Sequence, residues 1–219
     1  MTRYTPEYKS IQEQFHRDRP DYGIHAHRWA DQIMGLAQQL GSSDILDYGA
    51  GKGTLQKSIP FPIQQYDPFV PEFAAEPRPA ALVVALDTLE HVEPACLDAV
   101  LAHLSGLTRQ LLFADIALRP ASKFLPDGRN AHLLVESPNW WLAQLLPHFA
   151  IRQFTVTDKS AILLAAPLSA GPARTAGRDS IQVQHEPGRR EMSEFAKIQS
   201  LLGADAESLL AHACQGIPK

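Results

Sequence analysis

The sequence predicts an α/β fold: a mainly parallel sheet with helices on both faces and a final antiparallel hairpin. Three observations lead there. Short apolar runs, "DILDY", "AALVVALD" and "QLLFADIA", alternate with segments of helical spacing. These runs are nearly continuous rather than alternating, as in strands covered on both sides. Two later runs, "IRQFTVT" and "SAILLAAP", are separated only by a tight turn around Asp158 and Lys159, which makes them a hairpin.

Taken in order, Tyr8, Ile11 and Phe15 share one face of a helix over about 6–17, and "RPDYG" at 19–23 breaks it. Trp29, Ile33, Leu36, Ala37 and Leu40 form the inward stripe of a second helix over about 25–40, with Gly41 as its C-terminal cap. "DILDY" is the first strand, a short helix over 54–59 follows its glycines, and "IQQYD" is a strand ending at Asp67. "PFVPEFAAEPRP" holds four prolines in twelve residues, which excludes a long helix there. Beyond the run at 80–87, Cys96, Leu97, Val100, Leu101 and Leu104 stripe a helix before "QLLFADIA". A polar loop, "RPASKFLPDGRNAH", leads to "SPNWWLAQLLPHF", where Ser137 reads as an N-cap and Pro138 as the first helical residue. The chain thus divides into an N-terminal helical cap (1–43), a core (44–167), and a linker with a C-terminal helical extension (168–219). In the extension "IQVQH" reads as a short strand. Met192, Phe195, Ile198 and Leu202 form a stripe suited to packing or to a homodimer contact.

With 219 residues, 45% of them hydrophobic and 20% charged, the chain suits one globular domain with appendages. A net charge of −4 gives no general attraction to a phosphate backbone, so no nucleic-acid partner is expected. Cys96 and Cys214 make neither a disulfide framework nor a cysteine-rich zinc site. The N-terminus lacks an apolar signal core and no run is long enough for a bilayer, so a cytoplasmic protein without membrane contact is expected.

The stretch "DILDYGAGKGTL" places Gly49, Gly51 and Gly53 directly behind the first strand. In an open parallel sheet, ligands bind beyond the carboxyl ends of the strands, and glycine there gives unusual dihedral angles or room for close approach. A dinucleotide site wants G-x-G-x-x-G. This spacing is G-x-G-x-G, and Asp47 stands two residues ahead, where it would repel a pyrophosphate and suit a cationic ligand. There is no G-x-x-x-x-G-K-[ST] loop for a nucleoside triphosphate.

"ILDYGAGKG" resembles the first motif of the class I S-adenosylmethionine (SAM)-dependent methyltransferases, which have a Rossmann-like fold. The resemblance spans Asp44 to Pro167. It implies that Asp47 lies near the methionine amino end and that Tyr48, Gly49, Gly51 and Gly53 run past the cofactor. It also puts Asp67, twenty positions after Asp47 and followed by Pro68, on both ribose hydroxyls through charge-assisted bonds. "ALDTLEHV" looks like the family's fourth-strand motif, which places Asp87, Thr88 and His91 beside the methionine part. The segment between Asp67 and Ala80 is too short for the family's usual helix and third strand. Phe69 or Phe73 is then left to close the adenine wall.

The run after that strand, "LDTLEH", is not the [DNS]-P-P-[YF] of base amino-methylation, and no Pro-Cys pair offers cytosine chemistry. A small polar acceptor remains, a sugar or metabolite, with O-methyl transfer favoured. The loop after "QLLFADIA" faces the acceptor in the family, so Arg129 and Asn130 are expected to bind it and His132 to act as general base. Trp141, Tyr22 and His25 complete the expected acceptor side, the last two in a lid beside "DYG". Each has a plainer reading: Asp67 as an Asx turn before Pro68, His132 as a loop histidine, one of Trp140 and Trp141 as core. No residue set calls for a metal. The rival functions are a non-catalytic SAM-binding or interaction protein and a nucleotide-cofactor oxidoreductase.

Overall fold

The structure, a computed structural model, describes residues 2–168 and the strand at 183–185. Seven strands form one sheet among these residues: β1 (Ile45–Tyr48), β2 (Gln64–Tyr66), β3 (Ala80–Leu86), β4 (Thr108–Ala117), β5 (Phe149–Val156), β6 (Ser160–Pro167) and β7 (Val183–His185). Their order is β2-β1-β3-β4-β6-β5-β7. β1 to β4 pair in parallel, and β6 runs antiparallel to both β4 and β5. The mainly parallel, Rossmann-like sheet with its closing hairpin is therefore present as expected, and "IQVQH" supplies β7 parallel to β5. The apolar stripe at Met192–Leu202 lies outside the described residues.

Among the described residues, four α-helices accompany the sheet: α1 (Pro6–Asp18), α2 (Ala30–Gln39), α3 (Leu97–Leu107) and α4 (Pro138–Leu145). Side-chain alternation along the strands splits the core in two. Leu82, Val84, Phe113, Ile162 and Leu164 point to one face, where Ile33, Leu36 and Ala37 of α2 cover them. Val83, Leu112, Ala114, Leu163 and Ala165 point to the other, under Leu101 and Leu104 of α3 and Trp141 and Leu145 of α4. Thr5 caps α1 and Ser137 caps α4, each hydroxyl accepting a backbone N–H three residues on.

Two elements are shorter than the sequence suggests. The helix expected after the glycines is only a 3-10 turn, Gln56–Ser58. The expected helix over 25–40 begins with another, Ala26–Trp29, before α2. The edge of the sheet is as foreseen: the proline-rich chain after β2 makes a 3-10 turn at Pro71–Phe73 and returns to β3 without adding a strand outside β2.

The chain steps from β1 outward to β2 and then back across to β3, so the strand order reverses between β1 and β3. That reversal opens a crevice at the carboxyl end of the sheet. α1 lies over it, with Tyr8 and Phe15 in a third apolar cluster shared with Leu125 and Ala131.

Candidate functional site

Under α1 the crevice is a cavity of about 440 Å³, within the usual range for small-molecule sites of roughly 300–1,000 Å³. Every strand of the parallel half contributes to its wall at its carboxyl end. Tyr48 ends β1 and Gly49 and Gly51 follow it, Asp67 and Pro68 follow β2, Asp87, Thr88 and His91 follow β3, and His132 comes from the loop after β4. Tyr22 and His25 close it from the cap.

The three glycines all have positive φ: +85° at Gly49, +53° at Gly51 and +63° at Gly53. A Cβ at Gly49 would meet Thr88 Oγ1 at 2.4 Å, and one at Gly51 would meet Gly23 O at 2.8 Å and Gly23 Cα at 2.9 Å. At Gly53 the obstacle is Gln65 Nε2, at 2.5 Å, and Gly53 does not line the cavity. What comes so close to this turn is therefore other parts of the chain itself. Gly23, with φ +68°, accepts the Lys52 N–H at 3.1 Å, and Lys52 Nζ donates to the His16 carbonyl. The glycine turn is the dock on which the cap sits.

Asp67 holds that turn from the other side. Its Oδ2 accepts from Gly51 N at 3.0 Å and its Oδ1 from Phe69 N at 3.0 Å. The Asx-turn role is thus real, yet each carboxylate oxygen keeps a second lone pair, and the residue lines the cavity. Burial raises its pKa against the pull of His16. Asp47 is 1% exposed, stands behind the wall rather than in it, and has no hydrogen-bond partner at Oδ2. Burial, then the neighbouring Asp67, pushes its carboxyl up to about 7.

Asp87 is the one non-glycine residue with positive φ, +48°, among the described residues. Strain of that kind persists where surroundings impose it. Here Arg28 of the cap reaches Asp87 Oδ2 at 3.1 Å and the buried Asp115 Oδ2 at 2.7 Å. Tyr8 adds a second fastening, its hydroxyl donating to the His91 carbonyl at 2.5 Å.

His91 and His132 meet edge to face, ring centroids 4.8 Å apart. His91 Nδ1 lies 2.7 Å from Ala131 O and His132 Nδ1 2.6 Å from Arg119 O. A carbonyl only accepts, so Nδ1 carries the proton in both rings and Nε2 the lone pair. Burial, then His132, pulls the His91 pKa down to about 3, and burial lowers that of His132. Glu90 beside them is fully buried. Its Oε1 accepts from Ala117 N at 2.9 Å, while Oε2 has no partner. Burial and then Asp87 raise its pKa well above the carboxylate range.

Three expected acceptor residues are elsewhere. Trp141 is 0% exposed in the core beneath α4, because the α4 face that carries Leu142 and Leu145 must cover the sheet. Asn130 spends its amide on the loop: Oδ1 accepts from Ala121 N and His132 N, and Nδ2 donates to Ala121 O. Arg129 pairs with Asp127 at 2.6 Å on a tight turn, its guanidinium 5.4 Å from the Tyr8 ring centroid. These two position His132 and brace α1 instead of lining the cavity. Phe69 lines it, edge-on to Tyr4 and Tyr8, whereas Phe73 turns toward Gly53. Residues that the sequence reading did not assign to the site also line it, chiefly Tyr8, Gln12, His16 and Arg28. Tyr8 was read only as part of an apolar helical stripe, and the other three stand on the polar sides of the two expected helices.

No family model matches the sequence, and no curated protein matches it significantly. Solved structures do. The chain is similar to Burkholderia thailandensis 1,6-didemethyltoxoflavin-N1-methyltransferase with bound 1,6-didemethyltoxoflavin and S-adenosylhomocysteine (SAH). That match has TM-score 0.52 and 16% identity over 74% of this chain and 90% of that one. It is equally similar to the DhpI–SAH complex, with TM-score 0.52 and 15% identity over 75% and 98% of the two chains. The fold is that of the class I SAM-dependent methyltransferases. Within that fold the present chain has a shortened edge at β2 and an N-terminal cap clasped by the glycine turn.

Two predictions test this geometry. Gly51→Val forces a branched side chain into the Gly23 backbone. The melting temperature is expected to fall by several degrees, from a strain of about 1–3 kcal/mol, and trypsin to cut faster at Arg17 or Arg28, since the bond after Arg19 is blocked by Pro20. Unchanged proteolysis at those sites would remove the docking role. For Asp47, a folded pKa above the unfolded value means that stability is lost as pH rises from about 4 through about 7. Asp47→Asn is expected to melt higher than wild type at pH 8, with the gain vanishing near pH 4. A constant difference across that range would show that ionisation of Asp47 is not involved.

Proposed function

We propose that the chain is a SAM-dependent methyltransferase acting on a small polar acceptor, with oxygen the favoured atom. The observation that carries the reading is the placement of the cavity at the β1/β3 reversal. Its wall there is the glycine turn, Asp67 and Asp87. Both similar structures hold SAH, and one also holds 1,6-didemethyltoxoflavin.

The residues fit the cofactor by their chemistry. Asp67 has lone pairs left for two ribose hydroxyls. The aromatic edge of Tyr4 and Phe69 suits a flat base. Asp47, with an unpartnered buried oxygen, and Asp87 give negative potential for a sulfonium and an ammonium group. The cofactor supplies the activated methyl. The protein holds it, screens it from water beneath α1, and aligns the acceptor for in-line displacement. His91 and His132, both with Nε2 lone pairs, mark the acceptor end of the cavity. The cap that roofs the cavity favours a small molecule over a polymer. A nucleotide-cofactor oxidoreductase finds less support, since the glycine turn leads into one 3-10 turn, not an α-helix N-terminus for a pyrophosphate.

Calorimetric titration tests the reading. SAM and SAH are expected to bind and NAD not to. Loss of charge-assisted bonds in Asp67→Ala is expected to weaken SAH about tenfold or more. Binding of NAD in preference to SAH would reverse the assignment. A loss below twofold in Asp67→Ala would confine Asp67 to its turn.

A further inference from the structure

The acceptor end of the cavity contains a donor set that methyl transfer alone does not require. One ligand atom each from Glu90, His91 and His132 lie within 4.8 Å of one another. We propose that these three residues bind a divalent transition-metal cation that holds an oxygen of the acceptor. The role, though not the binding, rests on the methyltransferase reading.

Three independent features point to a cation. Both imidazoles are anchored through Nδ1 to backbone carbonyls, Ala131 O and Arg119 O, which leaves two Nε2 lone pairs. This is the arrangement that orients metal-ligating histidines, the outer hydrogen bond fixing tautomer and ring. Glu90 is fully buried, anchored through Oε1 to Ala117 N, and its Oε2 has no donor. A buried carboxylate oxygen without a partner is costly, and a cation would satisfy it. Finally, Asp87 stands next to the set in a strained conformation and adds negative charge. Other groups that act on the cluster are Tyr22, whose hydroxyl is 3.2 Å from His91 Nδ1, His16, Asp115 beside Glu90, and Arg119 beside His132.

Donors at about 2.0–2.2 Å from a metal lie roughly 3–3.5 Å apart, so the set closes by up to roughly 1.5 Å on binding. Two nitrogens and one oxygen select borderline ions such as Mn²⁺, Co²⁺ or Zn²⁺ over the all-oxygen sites of Mg²⁺ and Ca²⁺. Because His91 and His132 line the cavity, further coordination positions open toward the acceptor. A cation there polarises an acceptor hydroxyl. On methylation the O–H bond breaks and an O–C bond forms. The C–S electron pair returns to sulfur, and the proton leaves to solvent. His132 is then a ligand, in place of the general base its loop position predicts. The proposal departs from the sequence reading, which expected no metal.

The full-length chain, stripped with chelator, is titrated with Co²⁺ by calorimetry and visible absorbance. One equivalent with d–d bands is expected. His132→Ala and Glu90→Gln should each weaken Co²⁺ at least about tenfold, and His27→Ala, exposed and outside the cavity, should leave it unchanged. SAH is titrated in parallel. SAH binding without Co²⁺ binding overturns the metal site and leaves the cofactor reading. Co²⁺ binding without SAH binding supports the site and overturns only its role in methyl transfer. Equal Co²⁺ affinity in wild type and both variants overturns the assignment. Should the variants not fold, X-ray absorption of the Co²⁺-loaded wild type decides, with two imidazole nitrogens expected and fewer contradicting the site.

Discussion

Gly23 and Gly51 meet backbone to backbone, and the site depends on that contact. Each has a positive φ; a Cβ on Gly51 would collide with the Gly23 carbonyl and Cα, and one on Gly23 would press on Gly51 Cα at 3.1 Å. The hydrogen bond from Lys52 N to Gly23 O registers the turn after β1 against the end of the cap. From this register Tyr22 reaches His91 and Arg28 reaches Asp87 and Asp115. The same turn is held below by Asp67. A cofactor loop and a roof over the acceptor end are thus one mechanical unit, so occupancy of one part bears on the stability of the other.

The electrostatics of the unit are unbalanced by design of its burial. Asp47, Asp67 and Glu90 are carboxyl groups removed from water, two of them with an oxygen that lacks a partner. Their raised pKa values express the same cost. Buried carboxyl groups such as Asp47 and Glu90, each with an oxygen that no donor reaches, favour ligands that bring positive charge. At the cofactor end the proposed ligand is a sulfonium, and at the acceptor end the proposed ligand is a metal ion. The neutral imidazoles of His91 and His132 agree with the second, since they add donors without adding repulsion.

The fold was legible in the sequence where one physical signal dominated. Continuous apolar runs gave the buried strands, and four prolines after Asp67 excluded the missing strand outside β2. The glycine-turn side of the cavity was legible because strand ends carry it, and a strand end is found by its Gly or Asp. Gly23 was readable only as a helix breaker, since nothing local says what it touches. Trp141 was misplaced because adjacent aromatics do not reveal which one the helix buries. Arg129 and Asn130 were misplaced because polar loop residues look alike whether they face a ligand or tie the loop. Glu90 and the Nδ1 anchors of the histidines come from contacts 13 to 40 residues apart in the chain, beyond any local pattern.

The central claim is that the glycine turn and the N-terminal cap close together on a SAM-type cofactor. Hydrogen–deuterium exchange with and without SAH measures this directly. Slower exchange is predicted in both Asp44–Leu55 and Arg19–Trp29 when SAH is present, with the regions responding over the same concentration range. Protection confined to segments away from both, or none at saturating SAH, would contradict the account.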